Sequence, residues 1–372
     1  MKHFLLSLLC LSLFFCAKQQ VNPELQEDLK SSSSSSSSEQ QNLLFWDGKS
    51  EMLRGVAIGN SVWSLQEYAN LAINDSSDYA RLRADGFNAV RFYLSYKFFE
   101  NDSEPYSYKQ GGWLFLDRNI ELAKENGIKL ILNMHVPQGG FQSNGEGGAL
   151  WDVEENQKRL IALWNEIAKR YANETSIAAY DILNEPVVSK GKYQWQKLAQ
   201  EIVNVIREVD NNHLILVERM NAIIPHDYSN DSEMNFIFVE DPANKWGLTF
   251  HFYSPIEYTH QYASWSDFFR NTDGGTYPDL NGRNKAFLEK EVDSYLKIAQ
   301  EKNLPIYLGE FGVIEATLNK EKGGFVWISD MLDILKTRNV SFTYHAWVDG
   351  SFGVKDRHEL ESLFRNKFFG RR

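Results

Sequence analysis

Ala178-Ala-Tyr-Asp-Ile-Leu-Asn-Glu-Pro186 is an apolar run of strand length that closes on Asn184, Glu185 and a proline. A second run, Ile306-Tyr-Leu-Gly-Glu-Phe311, is built the same way, with Glu310 near its far end. Short apolar runs bounded by turn residues are the pattern of buried parallel strands. Outward from these two lie six more of the kind: Leu53–Gly59, Ala89–Leu94, Lys129–Val136, Leu214–Arg219, Leu248–Tyr253 and Phe342–Val348. With Ala178–Asn184 and Ile306–Phe311 they make eight. Helical patterns separate them, notably Leu114–Glu125, Val153–Tyr171, Gln194–Val209, Phe287–Gln300 and Phe325–Thr337. Within Val153–Tyr171, the residues Leu160, Leu163, Trp164, Ile167 and Tyr171 recur at the spacing of one buried helix face. Eight strands with mostly helical returns predict a single closed (β/α)8 TIM barrel. No glycine-rich phosphate loop follows the first strand, which disfavours an open dinucleotide-binding sheet.

The barrel accounts for residues 43–372. Lys2 and His3 precede an apolar stretch, Phe4 to Phe15, of the length of a secretory leader and too short to span a bilayer. Cys16 and a polar tract follow. This resembles a lipoprotein signal over residues 1–16, although Phe15 stands where such signals carry a small residue; ordinary cleavage and secretion is the alternative. Residues 17–42 include eight consecutive serines, Ser31 to Ser38, and read as a flexible tether. The expected product is exported, held at the cell surface or in the periplasm by a lipid on Cys16, and otherwise secreted. Cys10 and Cys16 are the only cysteines, so the barrel itself has no disulfide, thiolate nucleophile or zinc–thiolate site.

A net charge of −11 without a basic block opposes nucleic acid, whose binding rests on neutralising phosphates with Lys and Arg. It also opposes an anionic polymer. A neutral substrate fits, and the 10 Trp suit either an aromatic core or a cleft that stacks on sugar faces.

In such barrels the site lies at the C-terminal ends of the strands. Reading only those ends yields Arg91, His135, Asn184, Glu185, His251, Tyr253, Glu310 and Trp347. His251 and Tyr253 are two apart and share a face, as do Glu310 with Leu308 and Trp347 with His345. Asn184 and Glu185 are adjacent, so both reach one site only if the pleat breaks, and Pro186 is the expected place. One glutamate at a strand end would be read as a structural ion pair. Two, facing across a barrel mouth amid Asn, Arg, His, Tyr and Trp, match what glycoside hydrolysis requires: one carboxyl to protonate the leaving oxygen, another to attack or support the anomeric carbon. Repulsion between two such groups raises the proton affinity of one. No His-Glu-x-x-His spacing is present, so neither metal nor cofactor is expected. His213, His226 and His260 are read as structural. Phe141, Trp151, Trp63, Trp246 and Trp265 are either outer sugar platforms or core.

The runs Asp181-Ile-Leu-Asn-Glu-Pro186 and Leu308-Gly-Glu-Phe-Gly312 resemble those of glycoside hydrolase family 5, and the likeness extends from Arg54-Gly55-Val56 to His345-Ala-Trp347. The resemblance implies a retaining β-glycosidase with Glu185 as acid/base and Glu310 as nucleophile. It implies that Arg91 and Tyr253 orient Glu310, that Asn184 binds the sugar 2-hydroxyl and that His135 bonds the sugar in the cleaved subsite. His251 would sit near Glu185, and Trp347 would floor that subsite. The partner expected of this monomer is a β-linked polysaccharide or oligosaccharide, first a β-1,4-glucan cut internally, with β-mannan as the alternative. A non-catalytic carbohydrate-binding surface lipoprotein is the competing class.

Overall fold

The computed structural model describes residues 44–46, 49–59, 62, 76–143, 146–188, 190–221 and 235–370. The expected leader with Cys16, the serine tether, Trp63 and His226 lie outside these residues. Eight parallel strands form the framework: β1 (Arg54–Ile58), β2 (Ala89–Ser95), β3 (Lys129–Val136), β4 (Ile177–Asp181), β5 (Leu214–Glu218), β6 (Trp246–Phe252), β7 (Ile306–Phe311) and β8 (Phe342–Tyr344). Each pairs with its sequence neighbours, and β8 closes on β1 to complete the barrel. A small antiparallel pair, Leu44–Trp46 with Lys49–Glu51, precedes it.

The expected helices stand at Gln110–Glu125, Glu154–Tyr171, Lys192–Arg207, Lys285–Lys302 and Gly324–Thr337. Glu154–Tyr171 shows why. Leu160, Leu163, Trp164, Ile167 and Tyr171 are buried on one face, while Glu154 and Glu155 in the first turn and Lys169 and Arg170 in the last complement the helix dipole. Lys285–Lys302 is capped by Asn284, whose side-chain oxygen accepts from Phe287 N–H at 3.2 Å, and ends at Asn303 in the left-handed region.

Two apolar layers hold the fold. Residues such as Val90, Leu130, Leu132, Ile215, Leu248 and Leu308 join helix residues in the large core around the barrel. Leu53, Ala89, Ile131, Ala179, Leu214, Leu216 and Tyr307 form a separate cluster, drawn largely from the alternate positions of the same strands. That second cluster lies toward the beginnings of the strands. Polar side chains gather from the middle of the strands to their C-terminal ends, where Arg91, Asn133, His135, Asp181, Glu218, His251 and Glu310 are all buried.

Several strand limits differ from the sequence reading, and three of them bear on the site. β4 stops at Asp181 rather than Asn184, and β5 at Glu218 rather than Arg219. β8 ends at Tyr344 rather than Val348, because the following chain bonds to its own returning loop: Val354 N–H donates to Ala346 O and Lys355 N–H to Trp347 O. The peptide His345–Ala346 at this turn is cis.

Candidate active site

Arg91, near the middle of β2, is wholly buried, and its guanidinium organises the strand ends around it. Nε donates to Asp181 Oδ2 at 2.7 Å, Nη1 to Glu310 Oε1 at 2.5 Å and Nη2 to Asn184 Oδ1 at 2.9 Å. A buried guanidinium is tolerated only when paired, and losing one partner of such a pair costs about 3–5 kcal/mol. The chemistry of the site therefore also fixes its own scaffold.

Glu310 accepts two further bonds, from Tyr93 Oη to Oε1 at 2.6 Å and from Tyr253 Oη to Oε2 at 3.0 Å. It reaches the interior through a bulge. Phe250 pairs with Leu308 and His251 with Glu310, leaving Gly309 as the extra residue. Leu308 packs in the outer core while Glu310 faces the site, so the two do not share a face as period-two alternation predicts. Glycine is required at the bulge, since a Cβ there would lie 2.8 Å from Thr249 Oγ1 and 2.9 Å from His251 Nε2. Burial works against an ionised Glu310, but His251 and Arg91 above all outweigh it and hold the carboxyl well below the usual carboxylate range.

Glu185 lies beyond β4 with φ of 42°, in the left-handed region. The pleat thus breaks before Pro186, at the end of β4, and this is how the adjacent Asn184 and Glu185 both turn inward. Glu185 Oε1 accepts from His251 Nδ1 at 2.8 Å. The same nitrogen lies 3.5 Å from Glu218 Oε1 and 3.6 Å from Glu310 Oε2. Burial disfavours the imidazolium, yet Glu218, Glu310 and Glu185 together raise its pKa to about 9, so His251 is a cation at neutrality. One oxygen each of Glu185 and Glu310, with a His251 nitrogen, lie within 4.8 Å of one another. A divalent cation there would have to oppose the positive charge already supplied by Arg91 and His251.

His135 is buried, with Nδ1 3.0 Å from Asn133 Oδ1 and its ring stacked on Tyr93 at 3.8 Å. Burial first, then Arg91 and the other histidines, hold it neutral against the pull of Glu310. Phe141 stacks on it in turn, at 5.5 Å. Trp347 departs from its expected place. It is fully buried, donates Nε1–H to Asp78 Oδ1 at 2.8 Å and carries the Arg81 guanidinium 5.3 Å over its ring. With β8 ended, alternation no longer relates it to His345, and His345 is the ring that reaches the site: its Nδ1 lies 3.0 Å from Tyr93 Oη.

Of the other aromatics, Trp151 is buried, with Nε1–H donated to Gln142, and Trp246 opens β6 at the far end of the barrel; both are core. Trp265 is 56% exposed, with its ring 6.0 Å from Phe352, which in turn packs on Tyr253 and His345. His213 is structural, held by Asp210 and the Glu174 carbonyl. His260 sits edge-on against Tyr253, closer to the site than its reading as structural implies.

The strand-end pattern of the sequence does not single out Tyr93, Glu218 or His345. Tyr93 lies two residues beyond Arg91, so strand alternation alone places it on the same face. A ring there needs Gly59 opposite, where a Cβ would fall 1.9 Å from Tyr93 Cδ2.

Residues 47–351 match the family model for cellulase, glycosyl hydrolase family 5. Endoglucanase C of Acetivibrio thermocellus is 28% identical over 278 residues, covering 68% of this chain and 78% of that protein. Cellodextrinase A of Ruminococcus flavefaciens is 24% identical over 300 residues, covering 79% and 83%. Among solved structures, Cel5A of Thermotoga maritima in complex with cellobiose superposes with a TM-score of 0.70 at 24% identity, over 84% of this chain and 97% of that one. The match to the family model spans most of the chain and takes in both catalytic-type carboxylates, and the protein belongs to glycosyl hydrolase family 5.

Proposed function

We propose that this family 5 enzyme hydrolyses internal β-1,4 linkages of a neutral glucan with retention, Glu310 acting as nucleophile and Glu185 as acid/base. One observation carries the reading: the two carboxylates approach within 4.8 Å but have opposite surroundings. Glu310 is held ionised by Arg91, Tyr93 and Tyr253, as an attacking group must be. Glu185 meets a single histidine and faces the opening. The spacing suits a retaining enzyme, whose carboxyls lie ~5–5.5 Å apart, and leaves no room for the water of an inverting one.

In the first step a Glu310 oxygen bonds to the anomeric carbon as the glycosidic C–O bond breaks, and Glu185 gives its proton to the departing oxygen. In the second, Glu185 takes a proton from water as that water displaces Glu310, and the β configuration returns. Asn184, fixed by Arg91, would meet the sugar 2-hydroxyl, and neutral His135 would meet the same sugar. The likeness to Endoglucanase C supports glucan, and the acidic net charge supports a neutral polymer. On soluble carboxymethylcellulose the purified enzyme should cut viscosity steeply while few reducing ends appear. Release of short products without that fall would reject endo action, and turnover of β-mannan alone would reject glucan.

We further propose export with a lipid on Cys16, on the strength of the apolar run ending there and the serine tract beyond. Cys16→Ser should abolish incorporation of labelled fatty acid and move the enzyme out of the membrane fraction. Equal labelling of variant and parent would reject the anchor.

A further inference from the structure

A third glutamate lies against the Glu185 main chain and His251. Glu218 is the last residue of β5, almost wholly buried, and neither attacks nor faces the opening. Its Oε2 accepts the backbone N–H of Glu185 at 2.9 Å. Its Oε1 lies 3.5 Å from His251 Nδ1, the nitrogen that donates to the Glu185 carboxylate at 2.8 Å. Glu218 thus reaches Glu185 at both ends, directly at the main chain and through His251 at the side chain. The contact at the main chain falls where support is needed, because Glu185 holds φ of 42°, a conformation that non-glycine residues adopt only at a cost of order 1–3 kcal/mol. Glu218 is itself anchored: its carbonyl accepts Trp195 Nε1–H at 2.7 Å, and Arg91 Nη2 stands 4.0 Å from Oε2.

We infer that Glu218 is a positioning residue for the acid/base: it fixes the strained Glu185 backbone and steers His251 onto the Glu185 carboxylate. The inference rests on Glu185 being the acid/base. A buried carboxyl that served only packing would be matched by an apolar side chain. This one instead spends both oxygens on the acid/base and its partner. Burial first, with Glu185 and Asp181 adding to it against His251 and Arg91, pushes its pKa up to about 8.

The test compares kcat/KM, which reports the glycosylation step, on two aryl β-cellobiosides. Phenol is a poor leaving group and needs the acid; 2,4-dinitrophenol does not. Glu185→Ala is the benchmark and should lose far more on the phenyl than on the dinitrophenyl substrate. Glu218→Ala, with both contacts gone, should lose roughly a hundredfold more on the phenyl substrate than on the dinitrophenyl one, within the range of general acid catalysis. Glu218→Gln keeps an acceptor for Glu185 N–H but turns an amide toward His251, and should show an intermediate difference, roughly tenfold. Should the alanine variant fail to fold, the glutamine variant decides alone. Equal losses on both substrates, or no loss on either, beside a leaving-group-dependent Glu185→Ala would overturn the role of Glu218. A Glu185→Ala without leaving-group dependence would instead overturn the acid/base assignment, and the inference with it.

Discussion

Arg91, Tyr93 and Tyr253 converge on Glu310 from two strands, and each donates to the ionised carboxylate. Tyr93 stays protonated at all working pH, since burial and the Glu310 charge push its pKa up far beyond the ordinary phenol range. Its hydroxyl bonds only the anion well, so removing it must raise the proton affinity of Glu310. A bond to a charged acceptor is worth about 1.5–3 kcal/mol, which corresponds to a shift of roughly one to two units. In Tyr93→Phe the acidic limb of the kcat/KM profile should therefore move to higher pH. An unmoved limb would mean that Tyr93 does not act on Glu310. Arg91, Tyr253 and the two glutamates could be picked from the sequence because strand ends are where barrel chemistry sits. Tyr93 was open to the same reasoning one pleat further on. Trp347 was not, since its burial on Asp78 depends on a helix, Ser76–Ala84, far away in sequence.

The strands were legible because burial on both faces writes a continuous apolar run, and the helices because one face repeats every turn. Their ends were not. Apolar pattern fades where polar site residues begin, so the boundary becomes uncertain where function starts. At β5 the apolar pattern runs one residue too far, which puts Arg219 at the strand end in place of Glu218. Bulges are also invisible to pattern, because an extra residue is defined only against the neighbouring strand. The one at Gly309 carries the consequence that matters: without it Glu310 would follow Leu308 into the outer core. The run Leu-Gly-Glu does hold a trace of it, in a glycine that leaves no room for a side chain against His251.

Closure of the barrel brings Arg91 and Tyr93, His135, Asn184 and Glu185, Glu218, His251 and Tyr253, Glu310 and His345 to one mouth from seven strands in chain order. No local segment contains the site, and the fold as a whole sets the spacing of its two principal carboxyls. That spacing, with Glu310 ionised, suits two displacements and net retention. Proton NMR of the first products released from a soluble β-1,4-glucan reads this outcome directly. The β-anomer signal should rise first, with the α signal following only as mutarotation proceeds; an α signal that rises first would contradict the mechanism.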